Sequence, residues 1–283
     1  MKIGIVGLGV VGSANAAGFT KLGHSVSTHD IAHNTTIQDV LDTECVFVCV
    51  PTPSKPNGDC NTDIVASVIL QLAQASYTGV VAIRSSTVPG FTRKMIEAYA
   101  QLHICFVPEF VRERCAEHDF IYEHEMLAVG TTDPRVYATV VLAHGDYPKH
   151  TVQLAPTEAE ILKYYLNLYA ATRVTFANVF YEICGSLDAD YKRVKDAYIL
   201  TGRAGDMYLD VSEDLRGYGG MCLPKDTRAI INLMRTLDID LDFFATVDKD
   251  NSKFKTTVFN GMREEPNKRE APALEIPDKA AKR

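Results

Sequence analysis

The stretch from Met1 to Asp30 constrains this chain more than any other. Lys2-Ile-Gly-Ile-Val-Gly reads as a short buried strand that runs into Gly7-Leu-Gly-Val-Val-Gly12. A helical pattern follows through Ala14, Ala17, Phe19 and Leu22, and Gly23 stops it. A second strand, His24-Ser-Val-Ser-Thr-His, then ends at Asp30. Alone, a GxGxxG run is an ordinary turn; between a strand and a helix, with an acid at the next strand end, it is a dinucleotide-binding pattern. Gly7 permits the tight turn, Gly9 lets a pyrophosphate approach the backbone, and Gly12 lets helix and strand pack closely. Val10 and Val11 lie in the turn, where free N–H groups at a helix N-terminus would hold the phosphates. Asp30 would accept from the adenosine ribose hydroxyls and repel a 2′-phosphate, so the expected cofactor is NAD rather than NADP.

The alternation continues. Strands are expected at Cys45–Val50, Val80–Ile83, His103–Val107 and Leu127–Gly130. Helices are expected over about Asp63–Ala75 and Thr92–Gln101, with another starting at Thr132-Asp-Pro134. Strands alternating with helices imply an α/β domain over residues 1–155, a Rossmann-type doubly wound parallel sheet binding its ligands at the C-terminal strand ends. Thr52, Ser86, Thr87, Glu109 and Glu113 fall on that rim. Taken singly, each is explained by a turn or a helix cap; as a set on one rim they form a candidate site.

Residues 156–261 read as an all-α domain. Pro156 opens the longest helical pattern, about 157–187, where Glu160, Lys163 and Asn167 are spaced to share a face. That helix is otherwise apolar nearly all round, which requires a core or a dimer interface to cover it. A shorter helix and an irregular segment occupy 188–216, and helices are expected over about Pro224–Leu237 and Phe243–Phe259. Residues 262–283 have little to bury and are expected to be disordered.

Between these helices lies Gly217-Tyr-Gly-Gly-Met-Cys-Leu-Pro-Lys-Asp-Thr227. Cys222 follows a flexible loop and precedes Pro224, a residue favoured at a helix start. A thiol there feels the positive end of the helix dipole, and Lys225 adds a charge nearby; both favour the nucleophilic thiolate. Gly219 and Gly220 carry no Cβ to block approach to the sulfur. A buried structural cysteine is the simpler reading of an isolated Cys, but the glycines, proline and charges gathered here point to a nucleophile.

The net charge of −7 offers no basic field for nucleic acid. No apolar run reaches the ~18 residues of a membrane span. The chain enters a strand at its first residues, so no signal peptide is expected. Seven cysteines without a CxxC spacing suggest neither a zinc site nor a redox pair, and read as reduced thiols of a cytoplasmic protein. No metal is expected.

Together these motifs resemble the UDP-glucose/GDP-mannose dehydrogenase family, from Met1 to about Gly261. The resemblance is carried by GLGVVG, Asp30, PTP at 51–53, SSTVPG at 85–90, PEFVRE at 108–113, EAEILKYYLNLY at 158–169 and GYGGMCLPKDT at 217–227. It implies a cytoplasmic, NAD-dependent, four-electron oxidation of a nucleotide-sugar C6 alcohol to the uronic acid, UDP-glucose to UDP-glucuronate being the type. The apolar 157–187 helix leads separately to the expectation of a homodimer formed through it. By position, Cys222 is the implied nucleophile. Lys163, Asn167 and Asp226 serve the oxyanion and water, Thr87 helps hold that water, and Glu109 contacts substrate and assists hydrolysis. Thr52, Ser86, Thr87, Glu113 and Lys225 are implied on the cofactor, with Phe110, Val111, Arg203, Tyr208 and Gly219 on the substrate.

Two features depart from the pattern. Family members continue into a third domain that grips the nucleotide, which is not expected within these 283 residues, and the segment between Asp30 and Cys45 is shorter than usual. Two other readings stay open: a two-electron β-hydroxyacid-type dehydrogenase, which needs no cysteine, and a non-catalytic remnant acting as a partner subunit.

Overall fold

A computed structural model describes residues 1–256. The tail expected over 262–283, and the end of the helix expected to reach Phe259, lie outside the described residues. The chain forms two compact units, the first Met1–Lys163 and the second beginning at Tyr164. The division falls inside the long helix rather than at residue 156, because the first turns of that helix bury Ala159 and Glu160 within the first unit.

The first unit is built on a sheet of β1 (Lys2–Val6), β2 (Ser25–His29), β3 (Cys45–Val48), β4 (Val80–Ile83), β5 (His103–Phe106), β6 (Met126–Gly130) and β7 (His150–Leu154). Their spatial order is β2-β1-β3-β4-β5-β6-β7. The chain moves to one side of β1 for β2 and to the other for β3, so the switch point lies beyond the ends of β1 and β3. In open α/β sheets that is where ligands bind.

Expected as wholly parallel, the sheet is not. β1 to β5 run parallel, but β6 meets β5 antiparallel through Phe106 and Gly130, and β7 then pairs parallel to β6. β7 was not apparent from sequence because His150-Thr-Val-Gln-Leu154 lies half in solvent and lacks an apolar run. Central β3 and β4, CVFV and VVAI, are buried throughout, as strands covered on both faces must be.

Alternate strand residues feed two cores. Ile3, Ile5, Phe47, Ala82 and Val107 pack with Phe19 of α1 (Val10–Lys21), Phe120 of α4 (Ala116–Tyr122) and Val140 of α5 (Pro134–His144). On the other face Val46, Val48, Val81 and Phe106 pack with Val65 and Ile69 of α2 (Asp63–Gln74) and Phe91 of α3 (Phe91–Ala98). The seven-residue α4 was missed because it is too short to show a helical period.

The second unit contains most of α6 (Pro156–Ser186), then α7 (Tyr191–Leu200), α8 (Leu223–Thr236) and α9 (Phe243–Asn251). α6 was expected to be covered by a core or a dimer interface; within the single chain it buries Leu168, Ala171 and Ala177 and leaves an apolar stripe exposed, with Tyr165 71% exposed, Tyr169 55% and Phe176 57%. α9 ends at Asn251, earlier than its sequence pattern suggests, in turns closed by Lys253 and Phe254 N–H groups donating to Asp250 and Asn251 carbonyls. Among the described residues no helix is long and apolar enough to cross a membrane.

Candidate active site

The glycine turn fits a dinucleotide. Gly7 has φ +92°, and a Cβ there would meet the Cys49 carbonyl oxygen at 2.7 Å. A Cβ on Gly12 would meet the Gly7 carbonyl oxygen at 1.8 Å, so both positions need glycine. At Gly9 a Cβ would meet nothing within 4 Å, leaving the backbone open to a ligand. Gly9 is also the N-cap of α1, with no side-chain cap, so the N–H groups of Val10, Val11 and Gly12 remain available to an anion. Asp30 accepts from Leu8 N–H at 2.6 Å and Ala32 N–H at 2.8 Å, and these bonds hold its carboxyl below the ordinary range. It is therefore charged, and each oxygen keeps a lone pair for a ribose hydroxyl.

Thr52 and Ser86 lie on the turns after β3 and β4, where the Cys60 thiol reaches both carbonyls, at 3.9 and 3.4 Å. Thr87 is buried, and its hydroxyl donates to Glu160 at 3.1 Å. Glu160 also accepts from Gly90 N–H at 2.6 Å, Thr92 N–H at 2.8 Å and the Thr92 hydroxyl at 2.6 Å. Burial pushes the Glu160 carboxyl up, against the pull of these four donors. A side chain from the second turn of α6 thus caps the start of α3 and fixes the SSTVPG turn.

One turn later on α6, Lys163 donates to the main-chain carbonyl of Glu109 at 2.6 Å and lies 5.8 Å from the Phe110 ring centroid. The Glu109 carboxylate points inward. Oε1 accepts from Phe110 N–H at 2.9 Å, and Oε2 lies 3.0 Å from Arg84 and 3.2 Å from the Asn15 amide. Burial opposes its charge, yet Arg84 holds its carboxyl below the usual range. Glu109 was expected to contact substrate; its carboxylate lies beside Arg84 and Asn15, and its main-chain carbonyl meets Lys163. Val111 is half-buried, and Glu113 opens a short 3-10 turn, Glu113–Cys115, beyond this loop.

In the second unit Cys222 is exposed and N-caps α8, with Pro224 in the first turn. Lys225 is buried and donates to Asp226 Oδ1 at 2.6 Å. Its charge is therefore paired with a carboxylate, a partner that the sequence argument did not include; the helix dipole remains. Asp226 Oδ2 accepts from the Asn167 amide at 2.6 Å.

The Gly-Tyr-Gly-Gly loop is held from α9. Asn251 accepts from Tyr218 N–H at 2.7 Å and donates to Tyr218 O at 3.0 Å. Gly217 and Gly220 take φ of +53° and +76°, and Gly219 between them is half-buried. Arg203 and Tyr208 are exposed on a segment anchored by Lys195, which is buried and reaches Asp206 at 2.9 Å and Asp210 at 2.5 Å. Tyr191 secures the same segment through Leu209 O at 2.8 Å.

Arg84, Asn15, Asn251 and Lys195 were not singled out from sequence. The available signal was a charged or amide group inside an apolar pattern, as with Arg84 directly after VVAI. Among the described residues no group of three or more His, Cys, Asp or Glu side chains could hold a metal ion.

A doubly wound sheet with an open glycine turn at its switch point and a charged acid after β2 defines a dinucleotide-binding protein. The helical unit adds an exposed cysteine at a helix start beside a carboxylate–amide pair. Residues 32–143 match the NAD binding domain of the UDP-glucose/GDP-mannose dehydrogenase family, and residues 157–253 match its central domain. The chain belongs to the UDP-glucose/GDP-mannose dehydrogenase family, and its first unit is that family's NAD-binding domain.

Similar proteins include the UDP-glucose 6-dehydrogenase YwqF of Bacillus subtilis, 25% identical over 99% of this chain and 77% of that protein. The UDP-glucose 6-dehydrogenase AglM of Haloferax volcanii is 28% identical over 83% of this chain and 66% of its own length. A UDP-glucose dehydrogenase structure from Pyrobaculum islandicum superposes with a TM-score of 0.83 at 25% identity, covering 90% of this chain and 68% of that one. The chain thus spans roughly two thirds to three quarters of these relatives. The fold alone is shared with 3-hydroxyisobutyrate dehydrogenase of Mycobacterium tuberculosis, at a TM-score of 0.72 and 14% identity over 89% of this chain and 93% of that chain.

Proposed function

We propose that this chain oxidises the C6 alcohol of a nucleotide sugar, UDP-glucose by type, to the uronic acid in two successive two-electron steps. NAD, when bound, accepts one hydride in each step. The alcohol gives its proton to solvent water while the Lys163 ammonium stabilises the alkoxide. Cys222 Sγ then forms a bond to the aldehyde carbon, giving a thiohemiacetal whose oxyanion Lys163 and Asn167 support. Loss of the second hydride leaves a thioester. Asp226 takes a proton from the attacking water, which Thr87 helps hold, and Cys222 departs as thiolate.

The observation that carries this reading is Cys222, exposed and at the N-terminus of α8, four residues before an Asp226 already bonded to Asn167. Phe110, Val111, Arg203, Tyr208 and Gly219 are assigned to substrate, and Thr52, Ser86, Glu113 and Lys225 to the cofactor. The reaction is assigned to the cytoplasm. The exposed apolar stripe of α6 supports a homodimer; sedimentation should give twice the chain mass, and Phe176→Glu should halve it.

The deciding experiment is NADH yield per substrate with UDP-glucose and then GDP-mannose. Two NADH per sugar, lost in Cys222→Ala, is the expected result; full conversion to the acid by Cys222→Ala would end the proposal. The shared fold with a hydroxyacid dehydrogenase favours one alternative, a two-electron enzyme, marked by one NADH per substrate with Cys222→Ala unaffected. NAD binding without turnover on any sugar would instead favour the non-catalytic subunit.

A further inference from the structure

Arg84 is a buried cation in the middle of the first unit, and the reaction proposed above gives it no part. It follows β4 directly, with a side chain wholly shielded from solvent. Its Nη2 lies 2.5 Å from His144 Nε2, while His144 Nδ1 lies 2.7 Å from the Val140 carbonyl oxygen. Nδ1 therefore carries the proton, and Nε2 accepts from Arg84. Phe47 and Phe120 lie on the guanidinium with ring centroids 5.4 and 5.5 Å away. The charge is answered by one carboxylate, Glu109, 3.0 Å from Nη1.

A glutamate on the turn after β5 would ordinarily extend into water. Glu109 instead folds back, 7% exposed: Oε1 accepts from Phe110 N–H, and Oε2 accepts from the Asn15 amide and lies 3.0 Å from Arg84 Nη1 as an ion pair rather than a hydrogen bond. The carboxylate and the following N–H close a small ring that fixes the Glu109–Phe110 peptide. The carbonyl of that same peptide receives Lys163 at 2.6 Å. A buried ion pair contributes little net stability over apolar residues of the same size, so filling the core does not by itself account for Arg84.

We propose that Arg84 is a positioning residue: by drawing the Glu109 carboxylate inward, it sets the main-chain carbonyl that orients the Lys163 ammonium. This rests on the reading of Lys163 given above as the group that meets the alkoxide. Residue 109 then acts through its backbone, with Asn15 as the second brace. Misplacing a charged group by an ångström costs about a hundredfold in rate.

The test uses the full chain as wild type, Arg84→Met, Arg84→Lys and Asn15→Ala. Lys163 acetylation by acetic anhydride is followed by peptide mass spectrometry, with exposed Lys94 as internal standard. NAD affinity and steady-state kinetics are measured alongside. Arg84→Met should raise Lys163 labelling relative to Lys94 and lower kcat about a hundredfold. KM and NAD affinity should stay within about twofold, and Arg84→Lys should recover part of both losses. Unchanged Lys163 labelling in a folded Arg84→Met would overturn the inference, as would a kcat loss that Arg84→Lys does not relieve. Should Arg84→Met fail to fold, Asn15→Ala decides in the same way without stranding a charge: raised labelling supports the inference and unchanged labelling overturns it. Labelling needs no turnover. A wild type that makes no NADH from any sugar would sink the proposed reaction while the Arg84 result still stands or falls.

Discussion

Asn167 Nδ2 lies 2.6 Å from Asp226 Oδ2, tying α6 to the first turn of α8. Since Lys225 holds the other oxygen at 2.6 Å, Asp226 is clamped between an amide and an ammonium. The carboxylate beside Cys222 is thereby fixed in orientation before any substrate arrives.

Asp226→Asn should remove both properties. Lys225 would lose its buried ion pair with Asp226, and breaking such a pair costs about 3–5 kcal/mol. Acid formation should fall by about a hundredfold or more. Urea unfolding and NADH release measure the two effects; wild-type values in both would mean the clamp is incidental.

Of seven cysteines, Cys222 alone is exposed. Brief iodoacetamide treatment should alkylate it first, ahead of buried Cys45, Cys60, Cys105 and Cys184, as peptide mass spectrometry would report. NAD should leave this order unchanged.

Burial pushes the Cys105 thiol far above its ordinary range. In the unfolded chain a thiol ionises near pH 8.5, so above that pH the unfolded state has lost a proton that the folded state keeps. The contribution is fully present below about pH 8.5 and is lost as pH rises toward the folded value, by about 1.4 kcal/mol per unit. Urea denaturation at pH 8 and pH 10 should show the decline, and Cys105→Ala should reduce it.

Glu160→Gln puts an NH2 group among four donors that need acceptors. Each donor left unpaired costs about 1–3 kcal/mol. Thermal unfolding should shift down, and kcat should fall with it because Lys163 stands one helical turn away. A variant of unchanged stability would show that the start of α3 finds other partners.

Asp30→Ala removes the carboxylate expected to meet the ribose hydroxyls. Titration calorimetry should show NAD binding weakened by about tenfold or more, with the preference for NAD over NADP reduced. If NADP binds the wild type as tightly as NAD, the role given to Asp30 is wrong.

Elements whose signals are local were legible in the sequence. The β1–turn–α1–β2 unit combines period, glycine spacing and a terminal acid, and β3 and β4 are unbroken apolar runs. The cysteine loop carries its chemistry within eleven neighbouring residues. What escaped depends on partners distant along the chain. Arg84 meets His144, Asn15 meets Glu109, and Asn251 clasps Tyr218, and nothing at either end of each pair announces the other. Lys225 shows the converse: its charge was legible, but its pairing with the neighbouring Asp226 was not. α4 and β7 failed for want of length and of apolar residues. The turn of direction at β6 leaves no mark in the strand itself.

That reversal leaves the sheet with a perforation. β1 to β5 are laced along their lengths, and β6 to β7 are laced by five pairs, yet across the line between them Phe106 and Gly130 are the single rung. The sheet is two plates, and their union is entrusted largely to the helices laid over the crease. A tear along that line would also draw α5 away, and with it Val140 and His144 from the core of the plate that carries the glycine turn.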